Sequence, residues 1–204
     1  MSYQYDIFIS YRRNPETHLW ITEHFVPLLE LRVELELGRK PTFYLDNQVE
    51  SGTSWPVSLG MALGQSRVLI PLWTGNYLAS VWCVEELSHM LSREGEEKLR
   101  TPAKPHGVVI PAFIHDGEKF PADLRHIQYF EIQKTFNVRM ARNSPRAEEL
   151  DTALTAQAPA IAACINHAPA WRKAWPKKAV QHFFKKFYRR EAAVQKTVPR
   201  FTER

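Results

Sequence analysis

Ser80-Val81-Trp82-Cys83-Val84-Glu85-Glu86-Leu87, which follows the run Arg67-Val68-Leu69-Ile70-Pro71-Leu72-Trp73, is the stretch on which the reading of this chain turns. The earlier run is continuously apolar, as a buried strand is, and the later one opens a helical pattern. At about 100° per residue, Cys83, Val84, Leu87, Met90 and Leu91 share one stripe centred about 40° from Cys83. Glu85 falls nearly opposite that stripe and is expected in water; His89, on the same helix, is expected exposed. Glu86 falls at the edge, about 100° from the centre and one turn after Trp82. A carboxylate on the rim of a core, beside an indole and just past a strand, sits where open α/β folds take their ligands.

Working outward, Asp6-Ile7-Phe8-Ile9-Ser10-Tyr11 is a short β-branched run at the start of the chain. A helical pattern from about Thr17 to Leu37 follows, carrying Trp20, Phe25, Leu28, Leu29, Leu31 and Leu35, with Pro27 expected to kink it and Gly38 placed to end it. Further strands are predicted at Thr42 to Leu45, Val68 to Trp73, Val108 to Phe113 and Ile127 to Ile132. Helices are predicted from Pro56 to Gln65, after Trp82, and from Arg146 to His167 with an interruption at Pro159. Strands alternating with helices imply βαβ units. The fold class is therefore α/β: a flavodoxin-like doubly wound sheet of about five parallel strands flanked by helices.

At 204 residues and 44% hydrophobic content the chain suffices for one packed domain and an appendage. The expected division is a domain over 1–170 and an extension over 171–204. No apolar run approaches a membrane span, and the first residues lack the layout of a signal peptide, so a cytoplasmic location is expected. Two cysteines, Cys83 and Cys164, make no disulfide framework, and eight histidines show no paired metal spacing; no metal site is expected. The net charge of +5 is uneven. From Trp171 onward stand 11 basic and 2 acidic residues, a net of +9, which leaves 16 basic and 20 acidic residues and a net of −4 for the body. Any nucleic-acid reading rests on the tail alone.

In these positions the chain resembles a TIR (Toll/interleukin-1 receptor) domain. Tyr5 through Arg13 resembles the family's first box. Asp46 through Gly52, then Leu59 and Ala62 to Ser66, is similar to its second strand, BB loop and next helix. Asn76 through Leu87 resembles the Y-x-x-S-x-W-C-x-x-E-L segment of the enzymatic, bacterial-type branch, and Val109 to Phe113 its fourth strand. The family divides into members that cleave NAD⁺ and non-enzymatic adaptors that act through TIR–TIR contacts. The resemblance implies Glu86 as the catalytic glutamate, Ser10, Tyr11, Arg12 and the loop around Gly52 as the lining of a nucleotide cleft, and Trp82 as the partner in W-x-x-x-E spacing. It further implies NAD⁺ as substrate without a separate cofactor, other TIR copies as partners in a homo-oligomer or filament, and antiviral defence signalling in which an effector senses the product. Two features depart from the pattern: the loop before Trp55 is polar and carries Glu50, and the tail past Ala170 has no counterpart.

The chemistry is compatible with one carboxylate. Most glycosidases need two, because an alkoxide leaving group must be protonated. The nicotinamide of NAD⁺ is already cationic and departs neutral, so one carboxylate that steadies the ribose and the developing oxocarbenium charge is enough. Water then yields ADP-ribose, and the adenine ring yields a cyclic isomer; Arg12 or Arg13 and backbone N–H groups are left to meet the phosphates. A third reading is a nucleotide sensor without turnover. In the tail, Val180, Phe183, Phe184, Phe187 and Tyr188 form the aromatic face of a basic amphipathic helix. Four roles suit it: docking on the body or on another copy, an anionic membrane, an acidic partner and, last, nucleic acid.

Overall fold

The computed structural model describes residues 2–45, 55–115, 124 and 127–183. Gly52 and its loop, and the tail from Phe184 onward with Phe187 and Tyr188, lie outside the described residues. The order of elements is β1 (Tyr5–Ser10), α1 (Pro15–Trp20), α2 (Val26–Leu37), β2 (Phe43–Leu45), α3 (Trp55–Gly64), β3 (Ser66–Trp73), α4 (Gly75–Leu78), α5 (Val81–Glu97), β4 (Ala112–Phe113), β5 (Phe130–Glu131) and α6 (Pro145–Asn166). A last helix, α7, covers 174–183.

The five strands form one sheet in the order β2-β1-β3-β4-β5, and every pairing is parallel. Ile7 pairs with Phe43 on one side and Val68 on the other, and Ser10 at the end of β1 stands opposite Pro71. This is the doubly wound order, whose switch point falls between β1 and β3. Right-handed crossovers that run opposite ways across the sheet, β1 to β2 and then β2 to β3, put α2 and α3 on opposite faces. Arg32 of α2 pairs with Asp151 of α6, its Nε donating over 2.7 Å. On the other face Arg93 of α5 donates to the Ser66 and Leu63 carbonyls. β1 and β3 are buried almost throughout, as strands covered on both sides must be. Asp6 anchors their amino ends: buried, it accepts two 2.7 Å bonds from Arg39 and one from the Thr42 amide, and Arg67 lies 3.2 Å away. Burial raises its pKa, but the bonds from Arg39 and Thr42 outweigh that and hold it below the ordinary value.

Several local expectations shift. The interruption at Pro27 is a π turn, Ile21–Phe25, that closes just before it, with the Val26 amide bonded to the Ile21 carbonyl. Proline has no N–H for the α ladder, and the wider turn absorbs the gap. It also brings Trp20 and Phe25, five apart, into a stack at 5.5 Å. The buried stripe continues through Leu29 and Val33, leaving Leu31 and Leu35 exposed. Gly38 ends α2 at φ +66°, as predicted. α6 runs through Pro159 without interruption: Pro159 and Thr155 are both exposed, so water meets the carbonyl that the proline leaves unbonded. In the fourth strand Pro111 divides the ladder into a bridge at Val109 and the pair Ala112–Phe113.

Two polar expectations are corrected. Glu85 is buried, and His89 is partly buried with a fully buried Nε2. The cause is α7, which lies across α3 and α5. His182 pairs with Glu85, Lys178 reaches Glu96 at 2.8 Å, Arg172 reaches Glu97 at 2.6 Å, and Phe183 stacks on Trp82 at 5.9 Å. Trp175, Ala179 and Phe183 are buried. Gly60 and Gly64 make the approach possible: a Cβ on Gly64 would stand 2.4 Å from the Pro176 backbone, and one on Gly60 2.7 Å from that of Val180.

Two outcomes follow from this packing. Gly64→Ala is expected to lower stability by about 1–3 kcal/mol through overpacking, whereas Gly95→Ala, inside α5 with open space around it, raises it by about 0.5–1 kcal/mol. Urea midpoints of the two variants therefore move in opposite directions. Burial, and then Arg93, hold the His89 imidazole down to about 4 from 6.5. The unfolded chain thus takes up the proton first, so this contribution is whole above pH 6.5 and is lost as pH falls towards 4, by an amount approaching roughly 3 kcal/mol. Stability measured against pH is expected to flatten over that window in His89→Gln.

Candidate functional site

The carboxyl ends of β1 and β3 meet two helix starts. Thr74 caps α4 by accepting from the Tyr77 amide at 3.0 Å, and Ser80 caps α5 by accepting from the Cys83 amide at 3.5 Å. These caps, together with the β1–β3 register, bring Ser10, Tyr77 and Glu86 into contact. Ser10 Oγ donates to Glu86 Oε2 and lies 2.8 Å from the Tyr77 hydroxyl, which donates to the Cys83 carbonyl at 3.1 Å. Ser10 is 1% exposed, Tyr77 0% and Glu86 7%. A carboxylate so enclosed needs such a donor.

Next to this trio opens a cleft of about 170 Å³ at the switch point, bordered by Tyr11, Arg12, Asn14, Thr74, Asn76 and His115 among others. Tyr11 is held by a 2.7 Å hydrogen bond between its hydroxyl and His18 Nδ1. Arg12 is exposed and brings a cation to the mouth. The cleft is smaller than the roughly 300–1,000 Å³ that encloses a drug-sized ligand.

Of the residues singled out from sequence, Ser10 and Glu86 are brought into direct contact, and Tyr11 and Arg12 border the adjoining cleft. Trp82, one turn before Glu86 on α5, is partly buried and stacks on Phe183 of α7. Gly52 lies outside the described residues. Sequence reasoning assigned no role to Tyr77, although it is the first residue of the Y-x-x-S-x-W-C segment, and none to Asn76, Thr74 or His115. For Tyr77 the available signal was its place in that segment; the others are gathered only by the fold.

The buried groups around Glu86 are held neutral. Burial first, then Cys83 and Glu86, push Tyr77 well above its ordinary value. The Cys83 thiol rises to about 12, through burial and then through Glu86. A thiol so placed is no nucleophile at neutral pH. No group of acidic, histidine or cysteine side chains able to hold a metal ion occurs among the described residues.

A protein-family model described as the TIR domain matches residues 7–144, well over half of the chain. The TMV resistance protein N of Nicotiana glutinosa is 33% identical over 85 residues, which are 42% of this chain and 7% of that protein, so the chain spans a small part of its relative's length. Among solved structures, the TIR domain of the Toll-related receptor TRR-2 of Hydra magnipapillata aligns over 63% of this chain and 84% of its own, at 19% identity and a TM-score of 0.46. The TIR domains of the activated Roq1 resistosome, which recognises the pathogen effector XopQ, align over 90% of this chain and 99% of their own, at 20% identity and a TM-score of 0.40.

With Cys83 near 12 and Cys164 raised by burial to about 11, neither thiol ionises appreciably at pH 8. A disulfide dye added to the native chain at that pH is expected to label both slowly, and to label both promptly once urea unfolds it.

Proposed function

The chain belongs to the TIR domain family, and from that membership we propose that it cleaves the nicotinamide–ribose bond of NAD⁺, with Glu86 as the catalytic carboxylate. The observation that carries this reading is the bond from Ser10 to Glu86 at the carboxyl end of β1, beside the cleft that Tyr11 and Arg12 border. Hydrogen bonding by Ser10 fixes the carboxylate's orientation before substrate arrives, and such preorganisation gives electrostatic stabilisation its effect. As the bond from ribose C1′ to the ring nitrogen breaks, its electron pair neutralises the pyridinium, and nicotinamide leaves without a general acid. Glu86 stabilises the positive charge left on the ribose. Attack by water gives ADP-ribose and a proton; attack by the adenine ring gives a cyclic ADP-ribose isomer. Arg12 meets the phosphates as a charge at the mouth.

The same proposal includes assembly with other TIR copies, a downstream effector that senses the product, defence signalling and a cytoplasmic setting. No helix among the described residues is long and apolar enough to cross a membrane. A basic tail that reaches an acidic partner or an anionic membrane belongs to it as well. One observation favours the non-enzymatic adaptor instead: Glu86 is only 7% exposed, as a structural carboxylate is.

The two readings part in a nicotinamide-release assay by HPLC, run at high protein concentration with a crowding agent. Glu86→Gln keeps an acceptor for Ser10 and loses the charge. It is expected to lower release by about 10²–10³-fold with an unchanged fold. Ser10→Ala, which removes one charge-assisted bond of about 1.5–3 kcal/mol, bounds a smaller loss at roughly 10- to 100-fold. An inert wild type that still self-associates would leave the adaptor.

A further inference from the structure

Away from the cleft, α5 and α7 enclose a groove of about 230 Å³. Ser88, His89, Ser92 and Arg93 line it from α5; Trp175, Lys178 and His182 line it from α7. The charges around it pair off, except one. Glu96, which also lines the groove, is matched by Lys178, Glu85 by His182 and Glu97 by Arg172. Arg93 is 2% exposed, and among the described residues no carboxylate lies within ion-pair distance of it. Its terminal nitrogens reach two backbone carbonyls, and its guanidinium lies over the Trp175 ring at 4.3 Å.

Two N–H donors in that lining are buried without an acceptor, Arg93 Nε and Trp175 Nε1, and His89 Nε2 is buried without a partner. Neither Arg nor Trp can accept a hydrogen bond, so what completes them must be an acceptor. Glu96, Glu97 and Tyr3 act on Arg93 without any described carboxylate closing to an ion pair, and buried donors without acceptors cost free energy that a native fold rarely leaves uncompensated. We propose that this groove binds a compact oxyanion of the phosphate class, free or as a terminal phosphate monoester, held by Arg93 and Trp175 within and by Lys178 at the rim. Burial and then Arg93, His182 and Lys178 press the His89 imidazole down to about 4 against the opposing pull of Glu96, and burial lowers Arg93 to about 10 although Tyr3, Glu96 and Glu97 raise it. Because α7 forms one wall, the bound anion also fastens α7 to α5. The site is independent of the NAD⁺ reading.

The test uses the full chain and two probes, inorganic phosphate and ribose 5-phosphate, at pH 7 and at ionic strength held constant with sodium chloride. Melting temperature is expected to rise saturably with probe, while the His89 ring resonance shifts along the same isotherm. Ser92→Trp fills the groove from an exposed position and is expected to abolish both responses. Lys178→Glu is expected to weaken binding about tenfold or more. Equal affinity for the two probes assigns the site to the phosphate group alone, and tighter ribose 5-phosphate assigns it to a monoester. No saturable response, or one that Ser92→Trp leaves intact while the His89 resonance stays still, overturns the proposal and leaves the orphan groups to water.

Discussion

Glu86 imposes the governing constraint on this molecule. A carboxylate 7% exposed at the junction of sheet and helix must be met by a donor; Ser10 supplies one and bonds in turn to Tyr77, so the trio joins elements far apart in sequence. Ser10 is the last residue of β1, so its position depends on the β1–β3 register that sets it opposite Pro71. Tyr77 is placed by the single turn of α4, which exists because Thr74 caps it. Glu86 itself is aimed by α5, whose start is set by Ser80. Register, turn and cap thus converge on one pair of oxygen atoms. An error of one residue in any of them would break the contact between Ser10 and Glu86 or the Tyr77 bond beside it. The same elements, at the same sheet edge, open the cleft.

The opposite side of α5 is organised by a different constraint, close approach of backbones. Gly60 and Gly64 lie one turn apart on α3, and α7 rests on them at distances no Cβ allows. Once α7 is seated there, part of the polar face of α5 is covered, Glu85 and Arg93 being buried while Ser88, Ser92 and Glu96 stay exposed. Glu85, Glu96 and Glu97 acquire basic partners from the tail, and Arg93 and Trp175 close over each other. The mildly acidic body and the strongly basic extension are therefore complementary at this contact. Residues 171–183 use part of that charge on the chain itself, while the residues beyond 183 carry the remainder.

Much of this was legible from the residues. Alternating apolar runs set out five strands and their helices, and the helical wheel put Glu86 at the edge of a core beside a strand end, where it is found. Glu85 and His89 were misread for a physical reason. A wheel knows only one helix, and both residues face a partner that follows more than 70 positions later. Leu31 and Leu35 were misread because the wheel assumes an unbroken α ladder, and the π turn ahead of Pro27 rotates everything after it. Tyr77 needed the opposite kind of knowledge: its hydroxyl matters only because the sheet carries Ser10 to it.

For the catalysis proposed at Glu86, burial and charge pull in different directions, and the Ser10 bond is where they meet. A carboxylate open to water would be screened and would do little for a developing cation. One sealed in apolar surroundings would take a proton and carry no charge to offer. A hydroxyl donor favours the ionised form of a carboxylate in a place with little water. Cys83 and Tyr77, the other acids beside it, are raised far enough to stay neutral at physiological pH. Neither therefore adds a negative charge beside Glu86, as the proposed single-carboxylate cleavage would need.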